Sequence, residues 1–249
     1  MGGQNRRFNT THWTETLSAR TLDQTRRREA IGVVLARYWK PMYCYLRRKG
    51  HDNEEAKDIV QGFCQEIALG RGLIQQADPE RGRFRTFLLT SLSRYASNVR
   101  RAGATRKKAP ARAMFALDDV AAMDMPEISH EATPEAIFHS AWASQLLDDV
   151  LTAVEAGCCD NGKNVYWEVF HERTVIPLIE DSKLPSLSTL CEKYHIRDKA
   201  KISNMIATVK RRFQAELVRQ VRFAVGSDAD VEQEIADLME ILSSNGARL

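Results

Sequence analysis

Apolar residues recur at spacings of three and four along most of this chain, the period of a helix buried on one face. Ala30, Ile31, Val34, Leu35, Tyr38, Met42, Tyr45 and Leu46 form the first such run. Ala56, Ile59, Val60, Phe63 and Ile67 form a second, and Phe84, Phe87, Leu88, Leu92, Tyr95 and Val99 a third. Later runs are Trp142, Leu146, Val150, Leu151 and Val154, then Ile202, Met205, Ile206, Val209, Phe213 and Leu217, then Val231, Ile235, Leu238 and Leu242. Strand-like alternation is rare, and 13 glycines and 7 prolines in 249 residues are too few to punctuate a sheet. The expected fold is all-α.

The breaks between runs suggest how the helices are grouped. Pro41 should kink or divide the first run, and Gly50 should close it. Asp52 with Glu55 three residues on resembles a capping box for the second. RGLIQQADPERG, up to Gly82, reads as a loop. From Ala102 to His130 periodicity is lost, two prolines occur and the charge switches from basic to acidic, as in a flexible linker. Thr133-Pro134-Glu135 starts a helix with Pro in its first turn. Gly157 to Gly162 breaks that helix, and another begins near Asn164. The expected organisation is an arm over 1–24, a helical domain over 25–103, a linker over 104–133, a second helical domain over 134–225, and an acidic helix or tail over 226–249.

Net charge is only +3, but its distribution is uneven. Arg81 to Arg112 holds ten Lys or Arg and no acid. Ala113 to Ile137 holds six acids and no Lys or Arg, and Asp228 to Glu240 six more with no base. Strong local fields under a mild average suit a nucleic-acid binder with acidic linkers. The five cysteines (Cys44, Cys64, Cys158, Cys159, Cys191) have no CxxC spacing, so neither a disulfide framework nor a zinc site is expected, and a reducing cytoplasm is the simple setting. No run approaches the roughly 18 apolar residues of a membrane span. The six histidines have no spaced carboxylate or cysteine partners, so no metal, cofactor or catalysis is expected.

Three helical faces are candidates for binding. With about 100° per residue, Glu54, Asp58, Gln61, Gly62 and Gln65 lie opposite the apolar stripe of the second run. That face is polar, barely charged and contains a glycine, whereas a plainly solvated face favours Lys and Glu. In the next segment Arg83, Arg85, Arg94, Asn98, Arg100 and Arg101 lie on or flank faces beside aromatics, the composition that neutralises phosphates and stacks on bases. Leu184 to Val221 reads as a helix-turn-helix. Ser186 would cap its first helix and HIRDK would form the turn. Asn204, Ala207, Thr208 and Arg211 point outward on the second helix, flanked by Lys201, Ser203, Lys210 and Arg212. Small polar and basic side chains there suit a helix in the major groove.

RYWKPMYCYLRRKG, EEAKDIVQGFCQEIA and GRFRTFLLTSLSRYASNVRRA resemble the core-binding and promoter-melting domain of RNA polymerase sigma factors of the extracytoplasmic-function type. WASQLLDDVL and CEKYHIRDKAKISNMIATVKRRFQAELVRQV resemble that family's C-terminal promoter-binding domain. DADVEQEIADLMEIL is similar to an ending found in one subset of it. The resemblance covers most of residues 25–242 in order. It implies that Asp58, Gln61 and Gln65 dock on the clamp helices of the largest subunit of core RNA polymerase. It also implies that Arg83 and Arg85 hold phosphates of the melted −10 element, with Tyr95 and Asn98 near bases and Arg100 and Arg101 supporting the upstream duplex. The helix from Lys199 to Arg212 would read the −35 element through Lys199, Lys201, Ser203, Asn204, Thr208, Lys210 and Arg211. A flipped base would be captured by the loop from Gln75 to Arg83. Three features depart from the family: TRKKAPARA replaces a glycine-rich basic stretch, Thr208 stands where relatives tend to carry a base, and HIRDKAKIS is a poorer turn.

The function implied is a non-enzymatic specificity subunit that brings core polymerase to promoter DNA and helps to open it. The resemblance leaves room for an anti-sigma or other regulatory protein as a further partner. The alternative is a stand-alone helix-turn-helix regulator that never meets polymerase; it would have no need of the DIVQGFCQE face. The acidic tail is either a docked helix or an intramolecular mask over basic surface.

Overall fold

The computed structural model describes residues 24–68, 84–103, 132–180, 182–222 and 228–244. Every regular element among the described residues is helical. Along them run α1 (Gln24–Arg48), α2 (Asn53–Ala68), α3 (Phe84–Gly103), α4 (Pro134–Cys159), α5 (Asn164–Phe170), α6 (Ile176–Ile179), α7 (Leu187–Lys193), α8 (Lys199–Arg222) and α9 (Asp228–Ser244). His171–Val175, between α5 and α6, winds as a π-helix. The arm before Gln24, the loop with the expected base pocket and most of the linker lie outside the described residues. No helix among those described is long and apolar enough to cross a membrane.

The chain separates into two compact units. The first comprises the residues up to Trp142 together with Arg222–Glu234, and the second Ala143–Val221 together with Ile235–Leu249. Residues 134–142 and 228–234 thus group with the first unit.

In the first unit α1 is not divided at Pro41, which is itself buried inside the helix. Leu35, Tyr38, Met42, Tyr45 and Leu46 are buried as their spacing requires. At Gly50 the chain closes α1 with paired bonds: the Gly50 N–H donates to the Arg47 carbonyl at 3.1 Å and the His51 N–H to that of Leu46 at 3.2 Å. Asp52 then caps α2, its carboxylate accepting from the Glu55 N–H at 2.7 Å. Ala56, Ile59, Val60 and Phe63 form the buried stripe of α2, and removing a ring such as Phe63 from water stabilises by about 1.5–3 kcal/mol. Phe84 packs edge-on to Tyr38 at 5.4 Å between ring centroids, while Phe87 is only half-buried. Thr133 caps α4 by accepting from the Ala136 N–H at 3.1 Å.

The second unit is organised by Val169, Leu190, Ile202 and Met205, with Leu187, Tyr194 and Ile206 packed around them. Ser186 caps α7, its hydroxyl accepting from the Thr189 N–H at 3.1 Å. The end of α4 and the end of α7 close with the same pair of bonds. At the first, Gly162 N–H reaches Cys159 O at 3.0 Å and Lys163 N–H reaches Cys158 O at 2.8 Å. At the second, His195 N–H reaches Glu192 O at 3.3 Å and Ile196 N–H reaches Cys191 O at 2.9 Å. This closure needs a left-handed residue. Gly162 supplies it at φ 63°, but the second site uses His195 at φ 53°. A side chain in that conformation costs about 1–2 kcal/mol. The strain at the end of α7 thus sits at His195.

Candidate nucleic-acid interface

α2 and α3 pack against one another within the first unit. Phe63 and Tyr95 meet with ring centroids 5.6 Å apart. The Tyr95 hydroxyl lies over Gly62 so closely that a Cβ there would come within 2.5 Å of it. The glycine on the polar face of α2 is thus explained by helix packing. Burial pushes the Tyr95 hydroxyl pKa upward, helped by Glu66 and Cys64. Tyr95, expected near bases, is half-buried and spends much of its ring on α2. On α2 itself Asp58 is exposed, and Gln61 and Gln65 are half-buried. Lys57 and Glu54 pair beside them at 3.3 Å.

The outer face of α3 follows from its wheel. At about 100° per residue, Thr86, Thr90, Arg94, Ser97, Asn98 and Arg101 span roughly 120°, and all six are exposed. Arg100, at the edge of this face, is exposed too. Thr90 and Ser97 donate their hydroxyls to the carbonyls of Thr86 and Ser93, at 2.9 and 2.8 Å. Their oxygens therefore face outward as acceptors, while Arg94, Asn98, Arg100 and Arg101 present exposed side-chain N–H donors. Arg83 lies outside the described residues.

Arg85 is not on this face. It is 3% exposed, its Nε lies 3.2 Å from a carboxylate oxygen of Glu234, and that glutamate is equally buried. The guanidinium carbon sits 4.3 Å from the centre of the Trp142 ring, close enough for cation–π attraction. Tyr38 completes the cluster: burial raises its pKa well beyond the usual tyrosine range, and the Glu234 carboxylate raises it further. In this arrangement Arg85 is out of reach of a phosphate. Its place is legible on the wheel, where position 85 falls between Phe84 and Leu92 on one side and Leu89 on the other, within the buried stripe. Glu234 likewise falls beside Leu238 on α9, about 40° from it on the wheel, between Leu238 and Ile241. Neither partner residue, Glu234 nor Trp142, was identified from the sequence.

In the second unit, α7 leads through Tyr194–Asp198 into α8, whose start is capped by Asp198 accepting from the Ala200 N–H at 2.8 Å. Ile202, Met205 and Val209 are buried. On the far side Ser203, Asn204, Ala207, Lys210 and Arg211 are exposed together, with Lys199 and Lys201 exposed at the flanks. Thr208 is half-buried and donates its hydroxyl to the Asn204 carbonyl at 2.7 Å, which leaves it only as an acceptor. The Arg211 Nε donates to the Ala207 carbonyl at 3.3 Å. Arg212 turns inward, donating to the Gly157 carbonyl at 3.2 Å, so it holds α8 to the end of α4. Under the short helix, Glu172 is held by Lys193 at 2.7 Å and by the Tyr194 hydroxyl at 2.9 Å. Those bonds, the lysine's first, lower its pKa below the usual carboxylate value. The pair thus ties α7 to the π-helical turn before it.

Comparison with known proteins finds no matching family model, no similar curated protein and no similar solved structure.

Proposed function

We propose that this chain is a sigma-type specificity subunit, which binds core RNA polymerase and promoter DNA and carries out no catalysis. The observation that carries the reading is the pairing of two unlike faces in one packed unit. The polar, lightly charged face of α2, with Asp58, Gln61 and Gln65, belongs to a helix packed through Gly62 on Tyr95 of α3, whose own outer face carries Arg94, Asn98 and Arg101 and no acid. A helix that had only to be solvated would not need its neighbour's surface to be so different. On this reading α2 holds the clamp helices of the polymerase, while the arginines of α3 neutralise phosphates of the −10 element. α7 and α8 then act as a helix-turn-helix on the −35 element. Asn204 and Arg211 are suited to base edges in the major groove, and Lys199, Lys201 and Lys210 to phosphates. Thr208, with its hydroxyl proton committed to the backbone, serves as an acceptor or a van der Waals contact.

The test is retention of core polymerase by the tagged protein, compared with an Asp58→Lys, Gln61→Lys double variant. Both positions lie outside the buried core, so the variant should fold. We expect the wild type to retain polymerase and the variant to lose most of it. Equal retention would remove the clamp assignment, and no retention by either, with DNA binding intact, would favour the stand-alone regulator.

A further inference from the structure

Resting on the promoter-binding reading, we propose that the start of α9 is an intramolecular mask. Glu234 holds Arg85 in the free protein, and Arg85 reaches a phosphate only when residues 228–234 leave. The observation is the burial of both partners at 3% exposure with a 3.2 Å contact. Arg85 comes from a stretch of ten cations without an acid. The carboxylate that meets it comes from a stretch with six acids and no base.

Stability alone does not account for this choice of residues. Taking two charges out of water costs several kcal/mol per ion, and apolar pairs of similar volume are often as stable or more so. A buried ion pair fixes which segment docks where, and it leaves a charge that another anion can claim. A phosphate offers Arg85 the same bidentate geometry as a carboxylate. When the guanidinium turns to a phosphate, Glu234 loses its counter-charge and its carboxylate is no longer stable in the interior, which drives residues 228–234 out into water. Binding DNA and undocking this segment are thus one equilibrium, and by linkage each shifts the other. Val231 is a buried apolar residue of the same short segment, and the competition has to displace it as well.

The experiment uses the full chain, wild type and Glu234→Gln, with a fluorescein-labelled single-stranded DNA of mixed sequence. Anisotropy reads affinity, and amide exchange reads protection of residues 228–234 with and without DNA. We expect Glu234→Gln to bind about tenfold more tightly and saturating DNA to raise exchange in residues 228–234 of the wild type. Because the exchange measurement needs no substitution, a misfolded variant does not remove the test. DNA binding with unchanged protection of 228–234 would overturn the mask and leave the promoter reading standing. Absence of DNA binding by both proteins would overturn the promoter reading and the mask with it.

Discussion

α3 and α8 are both long amphipathic helices rich in Arg and Lys, with no acid in α3 and none in α8 before Glu216. They place those cations differently. α8 turns Lys199, Lys201, Lys210 and Arg211 to solvent and sends Arg212 inward only to meet a carbonyl at a helix end. α3 turns Arg94, Arg100 and Arg101 outward but buries Arg85 against Glu234 and Trp142. The cations of α8 are thus exposed, whereas α3 keeps one buried against the acidic helix α9. A run of like charges is not by itself a surface. Whether a charge in it is exposed depends on its angle around the helix and on what packs against that angle.

The two helices differ most at Arg85. Removing one member of a buried pair leaves the other charge stranded, and Arg85→Ala should cost up to about 3–5 kcal/mol. Arg101→Ala should stay within about 0.5 kcal/mol, as exposed sites do. Urea melts of the two variants check this, and equal effects would mean that the two arginines share one environment. DNA binding separates the helices next. Arg94→Ala with Arg101→Ala should weaken all sequences alike and flatten the salt dependence by about 0.7–0.9 log unit per lost phosphate contact. Asn204→Ala should instead cost about 1–3 kcal/mol on the preferred sequence and leave the salt slope unchanged. Matching profiles from α3 and α8 variants would erase the division between phosphate holding and base reading.

The smallest effect concerns the turn before α8. His195→Gly removes left-handed strain of about 1–2 kcal/mol, partly offset by the greater freedom of glycine in the unfolded chain. A net gain of about 0.5–1 kcal/mol is expected in thermal unfolding. A loss would mean that the His195 side chain makes contacts worth more than the strain.

Much of this was legible beforehand, for identifiable reasons. The apolar stripes of α2 and α8, the caps at Asp52, Thr133 and Ser186, and the break before Asn164 rest on local chemistry, and the chain follows it. Pro41 was expected to kink or divide α1, yet it lies buried within a helix it does not divide, so packing outweighed the missing N–H. The glycine at position 62 looked like a sign of a partner surface. Its cause is Tyr95, 33 residues further on, which no local pattern announces. Glu234 is further still from Arg85 in the chain. A charged residue on an apolar stripe was the available signal at both ends, but pairing them required tertiary structure.

The most direct test of the sigma-type reading is transcription by purified core RNA polymerase from a library of genomic fragments, with and without this protein. Defined start sites should appear only when the protein is added, and should weaken with Asp58→Lys and Gln61→Lys. Unchanged transcription in its presence, from a preparation that still binds DNA, would contradict that reading.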